Sequence, residues 1–93
     1  MNSQIKEALK DIYVKALRLH VAKSEVPDDG LIERFEIDSI RAMELAITIE
    51  SRFDIQIEPE QLAKKILDSL DVLAAYVHQR QEIPLLTGAN NAA

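Results

Sequence analysis

The sequence contains no cysteine, which excludes a disulfide, a thiolate nucleophile and a thiolate metal site. No apolar run comes near the ~20 residues that a membrane-crossing helix needs. The opening segment, Met1-Asn2-Ser3-Gln4-Ile5-Lys6-Glu7, lacks the basic-then-apolar order of a secretory signal. These absences point to a soluble chain in a reducing cytoplasm. Positive charge is also in short supply. With 11 basic and 16 acidic residues the formal net charge is −5, which disfavours nucleic acid as a partner because phosphate neutralisation needs a basic surface. A chain of 93 residues makes one domain that buries roughly 60–70% of the surface exposed when unfolded. Little room is left for a deep catalytic cavity.

The charge that is present is unevenly placed. Residues 1–23 hold five basic and two acidic side chains, residues 24–62 three and eleven, and residues 63–93 three of each. An acidic middle attracts partners with a basic patch. The plainer alternative is a solubilising surface.

Apolar spacing predicts helices. Ile5, Ala8, Leu9, Ile12, Ala16 and Leu19 recur at helical intervals, predicting a first helix over 3–20 with Ser3 as a cap. A long connection over 21–37 follows. Ser24-Glu25-Val26-Pro27-Asp28-Asp29-Gly30 supplies its turn chemistry. Its apolar residues Leu31, Ile32, Phe35 and Ile37 predict that it folds back over the core. A second helix is expected from Asp38 or Ser39 to about Phe53, with Ile40, Met43, Ala46 and Ile47 as its inward face. A short third helix begins at Glu58-Pro59-Glu60-Gln61-Leu62, where proline suits the first turn and acidic side chains suit the dipole. Ile66 and Leu67 close that segment. A last helix starts at Asp68 or Ser69 and carries Leu70, Leu73, Ala74 and Val77 on one face. It is expected to fray after Gln79. The expected architecture is all-α: a small four-helix bundle of three longer helices and one short one, with a long loop between the first two. The domain is read as residues 1–80, with 81–93 a disordered tail.

A bundle specifies no function, so the site must come from particular residues. Ser39 sits where the long loop meets the second helix. On its own a serine there is a helix cap. A side chain at that position also lies near unpaired N–H groups, which stabilise an attached anion. Two other arrangements carry less. Gly30 and Glu36 have calcium-loop spacing, but the third ligand position would be Pro27, which has no side-chain oxygen. His20 and His78 are lone histidines without cysteine partners, so no metal site is read.

The flanking order decides between cap and attachment point. Phe35-Glu36-Ile37-Asp38-Ser39-Ile40-Arg41-Ala42-Met43-Glu44-Leu45 resembles the attachment motif of the acyl carrier and peptidyl carrier protein family. In that family an Asp-Ser-Leu or Asp-Ser-Ile triplet opens the second helix. The resemblance continues through Ile47, Ile49, Glu50, Phe53-Asp54-Ile55-Gln56-Ile57 and the short-helix segment from Glu58, and covers roughly residues 4–79. A second triplet, Asp68-Ser69-Leu70, precedes the last helix and lacks the helix, loop and short helix that should follow. Ser69 is therefore expected to be a cap.

The resemblance implies a carrier and not an enzyme, with no catalytic residue of its own. A phosphopantetheinyl transferase moves 4′-phosphopantetheine from coenzyme A onto the serine hydroxyl, and the arm's thiol holds the cargo as a thioester. The reactive sulfur is thus imported. The expected cofactor-binding residues are Ser39 (covalent), Asp38 and Ile40. Glu36, Arg41, Met43, Glu44 and Glu50 are the expected partner-binding residues. The implied partners are the transferase and acyl-activating or acyl-processing enzymes with basic patches. Nucleic acid and membrane insertion are not expected, and the chain is read as a monomer. The reading is of a stand-alone acyl carrier in a specialised lipid or secondary-metabolite pathway, such as a fatty-acid or polyketide route. The alternatives are an aminoacyl or peptidyl carrier, or an unmodified helical interaction module that kept the fold. The sequence departs from the family pattern at Glu36, Arg41 and Asp54 (where glycine is common), and the first two motivate the unmodified module. Glu36 stands where glycine is usual, so the loop is expected to enter the helix differently. Arg41 stands where an acidic or polar residue is common, which would alter partner choice.

Overall fold

The computed structural model describes the backbone of residues 2–92 and the side chains of residues 3–81. Among these residues there is no strand. Three long helices, α1 (Asn2–Ala16), α3 (Ser39–Phe53) and α5 (Leu70–Ala92), enclose the core with two short ones, α2 (Leu31–Arg34) and α4 (Pro59–Ala63). Single 3₁₀ turns occupy Lys23–Glu25 and Ile66–Asp68. The small helical bundle expected from the apolar spacing is present, with α2 as an additional turn inside the long connection. The backbone of α5 continues past Gln79, where fraying was expected; of the tail expected over 81–93, residues 82–93 lie outside those whose side chains are described.

α1 ends at Ala16 and not near residue 20, although the apolar spacing runs on to Leu19. The Leu19 amide donates to the Val14 carbonyl at 2.9 Å and the Arg18 amide to Lys15 at 3.3 Å. That pair is a Schellman closure, which needs a left-handed residue. Arg18 supplies it with φ 55°. The same device recurs. Ile37 donates to Ile32 and Glu36 to Glu33 after α2, with Glu36 at φ 51°. Ile55 donates to Glu50 after α3, with Asp54 at φ 54°. Lys65, at φ 60°, donates to Leu62 after α4, which makes the shorter-range one of the two bonds of that closure. Glycine is the usual residue for this role, and none of the four closures has one.

α1 packs on both α3 and α5. Its core face is Ile5, Leu9, Ile12, Tyr13 and Leu17. Tyr13 is fully buried, and its hydroxyl donates to the Leu67 carbonyl at 2.6 Å. The long connection does fold over the core, burying Val26, Leu31 and Ile37. It is tied to the start of α5. The Leu70 amide donates to the Asp28 carbonyl at 2.7 Å. Lys6 bridges Asp28 and Asp71 at 3.0 and 2.9 Å. Asp68 accepts from the Ile32 amide at 2.9 Å, satisfying one of the open donors at the start of α2. The expected α5 face of Leu70, Leu73, Ala74 and Val77 is buried throughout.

The inward face of α3 requires a correction. Leu45, Ala46 and Ile49 are the buried residues, with Ala42 and Phe53 packed beside them. Ile40, Met43 and Ile47 are 69%, 59% and 61% exposed. α3 carries apolar residues on two stripes, and spacing alone does not say which one meets the rest of the molecule.

Candidate functional site

Asp38 opens α3. Its backbone is extended, and its side chain accepts from the Arg41 amide at 2.9 Å, as an N-cap does. Ser39 is therefore the first residue inside the helix and is free of the capping role. Its side chain is exposed. The amides of this first turn have no carbonyl one turn earlier to bond, so the helix end favours an anion on the Ser39 oxygen.

The second Asp-Ser pair is used the other way round. Ser69 precedes α5, and its Oγ accepts from the Val72 amide at 3.3 Å. Asp68 turns away to Ile32. In the first triplet the aspartate is the cap and the serine is free. In the second the serine is the cap, as expected.

The loop into α3 is braced. Glu36 takes the left-handed conformation that glycine would take, so this departure does not redirect the chain. Arg41 reaches back over the turn, its Nη1 donating to the carbonyls of Phe35 at 3.2 Å and Glu36 at 3.5 Å. These are open acceptors at the end of α2, which a nearby cation satisfies. Both departures from the family pattern thus have local work in the turn that presents Ser39.

A cleft of about 260 Å³ opens beside Ser39 and Asp38. Ile32, Ile37, Ala42, Leu62 and Leu67 make its walls apolar, and Lys65 adds a cation. An exposed hydroxyl at the mouth of an apolar cleft with one cation suits a phosphodiester continuing into a flexible chain. Ile40 does not line the cleft; it projects outward one position along the helix. Lys65 was missed in the sequence. The Lys64-Lys65 doublet at the close of the acidic stretch was the signal that could have found it.

Of the other expected residues, Glu44 and Met43 are exposed on α3. Glu50 is half-buried, and its carboxylate accepts from the Ile57 amide at 2.8 Å. That bond ties the segment after α3 back to the helix.

Residues 7–77 match the family model described as "Phosphopantetheine attachment site", a span that runs from within α1 to the first two turns of α5. The chain belongs to that family. A curated relative, the acyl carrier protein of Picosynechococcus sp., is 36% identical over 66 residues, covering 71% of this chain and 79% of the relative. Members of the phosphopantetheine attachment family carry 4′-phosphopantetheine as a covalent group, and they act as carriers, not enzymes. The imported arm supplies a thiol in a chain that has none; the protein supplies anchoring and orientation. Carriers of this kind interact with a phosphopantetheinyl transferase and with acyl-processing enzymes. No helix among the described residues is long and apolar enough to cross a membrane.

Proposed function

We propose that this chain is an acyl carrier whose Ser39 bears 4′-phosphopantetheine and whose cargo is an acyl group held as a thioester. The observation that carries the reading is the division of labour within Asp38-Ser39. Asp38 caps α3, which leaves the Ser39 hydroxyl exposed at the mouth of the apolar cleft. Transfer from coenzyme A forms a bond from Ser39 Oγ to the phosphorus that carries pantetheine. It breaks that phosphorus's bond to the nucleotide, which leaves as adenosine 3′,5′-bisphosphate while the serine proton is lost to the transferase. Ser39 needs no base of its own, because the transferase supplies one. The apolar walls beside Ser39 favour an acyl cargo over a charged aminoacyl one. Arg41 on the α3 surface favours a specialised lipid or secondary-metabolite route over the housekeeping fatty-acid pathway, since it departs from the usual pattern where partners dock.

The test is intact-mass measurement after incubation with coenzyme A and a broad-specificity transferase. Wild type and Ser69→Ala are expected to gain one phosphopantetheinyl group, and Ser39→Ala none. Equal loading of Ser39→Ala would move the site elsewhere. Failure of wild type with every transferase tried would leave an unmodified interaction module as the better reading. Mass analysis of the arm on protein isolated from its native host identifies the cargo.

A further inference from the structure

Lys65 follows α4, and its backbone is fixed from both sides. Its amide donates to the Leu62 carbonyl at 3.0 Å, and its own carbonyl accepts from the Asp68 amide at 3.0 Å. The next two residues, Ile66 and Leu67, are buried in the core. The corner is therefore pinned, while the Lys65 side chain stays exposed along the wall of the cleft beside Ser39. Ile40, Met43 and Ile47 form an exposed ridge elsewhere on α3 and do not line that cleft.

Two charged side chains line the cleft, Asp38 and Lys65. Asp38 is committed to the Arg41 amide. Lys65 enters no ion pair among the described residues, so its ammonium is uncommitted. Arg41, the first cation of α3, is turned to the carbonyls of Phe35 and Glu36. A phosphodiester on Ser39 adds a negative charge next to the Asp38 carboxylate, and like charges so close disfavour each other. The uncommitted charge of opposite sign in the same cleft is that of Lys65. It is kept at a left-handed corner, φ 60°, where glycine would be more stable.

We propose that Lys65 is a positioning residue for the arm: its ammonium pairs with the phosphodiester on Ser39 and turns the first part of the arm toward the α4 side of the cleft. The proposal deepens the carrier reading and rests on Ser39 as the attachment point. Lys65 acts on the orientation of the arm and not on its attachment, because the transferase performs that step. An exposed pair favours the contacting conformers by up to about fivefold, which biases a flexible arm without locking it.

The experiment uses the full chain, isotopically labelled in carbon and nitrogen and loaded with an unlabelled arm, with loading at Ser39 read by mass. Isotope-filtered NOE spectra should connect the Lys65 side-chain methylenes with the arm's methylene next to phosphorus. Raising the salt to about 1 M, where screening sets in beyond about 3 Å, should weaken those NOEs by up to about fivefold. Lys65→Gln and Lys65→Arg, loaded with an arm labelled in its amide nitrogens, give a second readout. The heteronuclear NOE of the amide nearer the phosphate should fall in Lys65→Gln and hold its wild-type value in Lys65→Arg. Absence of the Lys65 contacts overturns the proposal. So do contacts that salt leaves unchanged, which mark apolar packing of the lysine stem, an arm equally ordered in Lys65→Gln, or one as loose in Lys65→Arg as in Lys65→Gln. Loading that never occurs at Ser39 sinks the carrier reading and this proposal with it, whereas loading without these contacts sinks this proposal alone.

Discussion

The Arg41 guanidinium donates to the main-chain carbonyl of Phe35 across 3.2 Å, joining the first turn of α3 to the end of α2. The brace is exposed, so its contribution is modest, about 0.5–1 kcal/mol. Arg41→Ala should lower stability by that amount in urea unfolding. Amide exchange at residues 36–38 should quicken. Arg41→Lys should restore only part of the protection, because a single ammonium cannot reproduce the guanidinium fork.

The left-handed corners make a second prediction. Glu36→Gly and Lys65→Gly should each stabilise the fold by about 0.5–1 kcal/mol, relief of strain being partly offset by a freer unfolded chain. Gly30→Ala should do the reverse by about 1 kcal/mol. Gly30 has φ 67° with nothing within 4 Å of an added Cβ, so its cost would be conformational and not a clash. Thermal unfolding measures all three.

The two Asp-Ser pairs should respond oppositely to alanine. Asp38→Ala removes a cap and should cost about 1 kcal/mol, whereas Ser39→Ala should stay within about 0.5 kcal/mol of wild type. Ser69→Ala should cost about 0.5–1 kcal/mol and leave loading intact. Urea unfolding with intact-mass loading gives both readouts.

The two apolar stripes of α3 separate in the same way. Ile49→Ala should destabilise by about 2–5 kcal/mol, while Ile47→Ser should change stability by no more than about 0.5 kcal/mol. A large loss in Ile47→Ser would mean that the ridge is packed in solution.

Burial pushes the Tyr13 phenol well above its ordinary range, and the Asp68 carboxylate adds to the push. A raised folded pKa means that the contribution is complete below the unfolded value, about 10. It is lost as pH climbs from there towards the folded value. Lys6, raised by hydrogen bonds to Asp71 and Asp28, weakens in the same direction. Wild type should therefore lose stability above about pH 10. Tyr13→Phe should be less stable at neutral pH by about 1–3 kcal/mol, because the Leu67 carbonyl is left unpaired, and its decline at alkaline pH should be shallower. Unfolding midpoints across that range are the measurement.

Much of this fold could be read from the sequence, because local rules and tertiary packing agree. Asp38 looks like a cap and is one. Pro59 opens a short helix, and Leu70, Leu73, Ala74 and Val77 form the buried stripe. The end of α1 was illegible because Arg18 gives no sign of a left-handed turn. The inward face of α3 was ambiguous because Ile40, Met43 and Ile47 are as apolar and as regularly spaced as Ala42, Leu45 and Ile49. The Asp68–Ile32 bond joins residues 36 apart in sequence, a relation that no local pattern encodes. Lys65 reaches the cleft only because its corner of the chain folds beside Ser39.

Ser39 and Ile40 are neighbours in the chain but belong to different surfaces, one at the mouth of the cleft and the other on the exposed ridge. On the proposed attachment, an arm rooted at Ser39 would stand on the watershed between these two slopes. A small swing about its own anchor would carry its tip from one slope to the other, with no need for the helices to part.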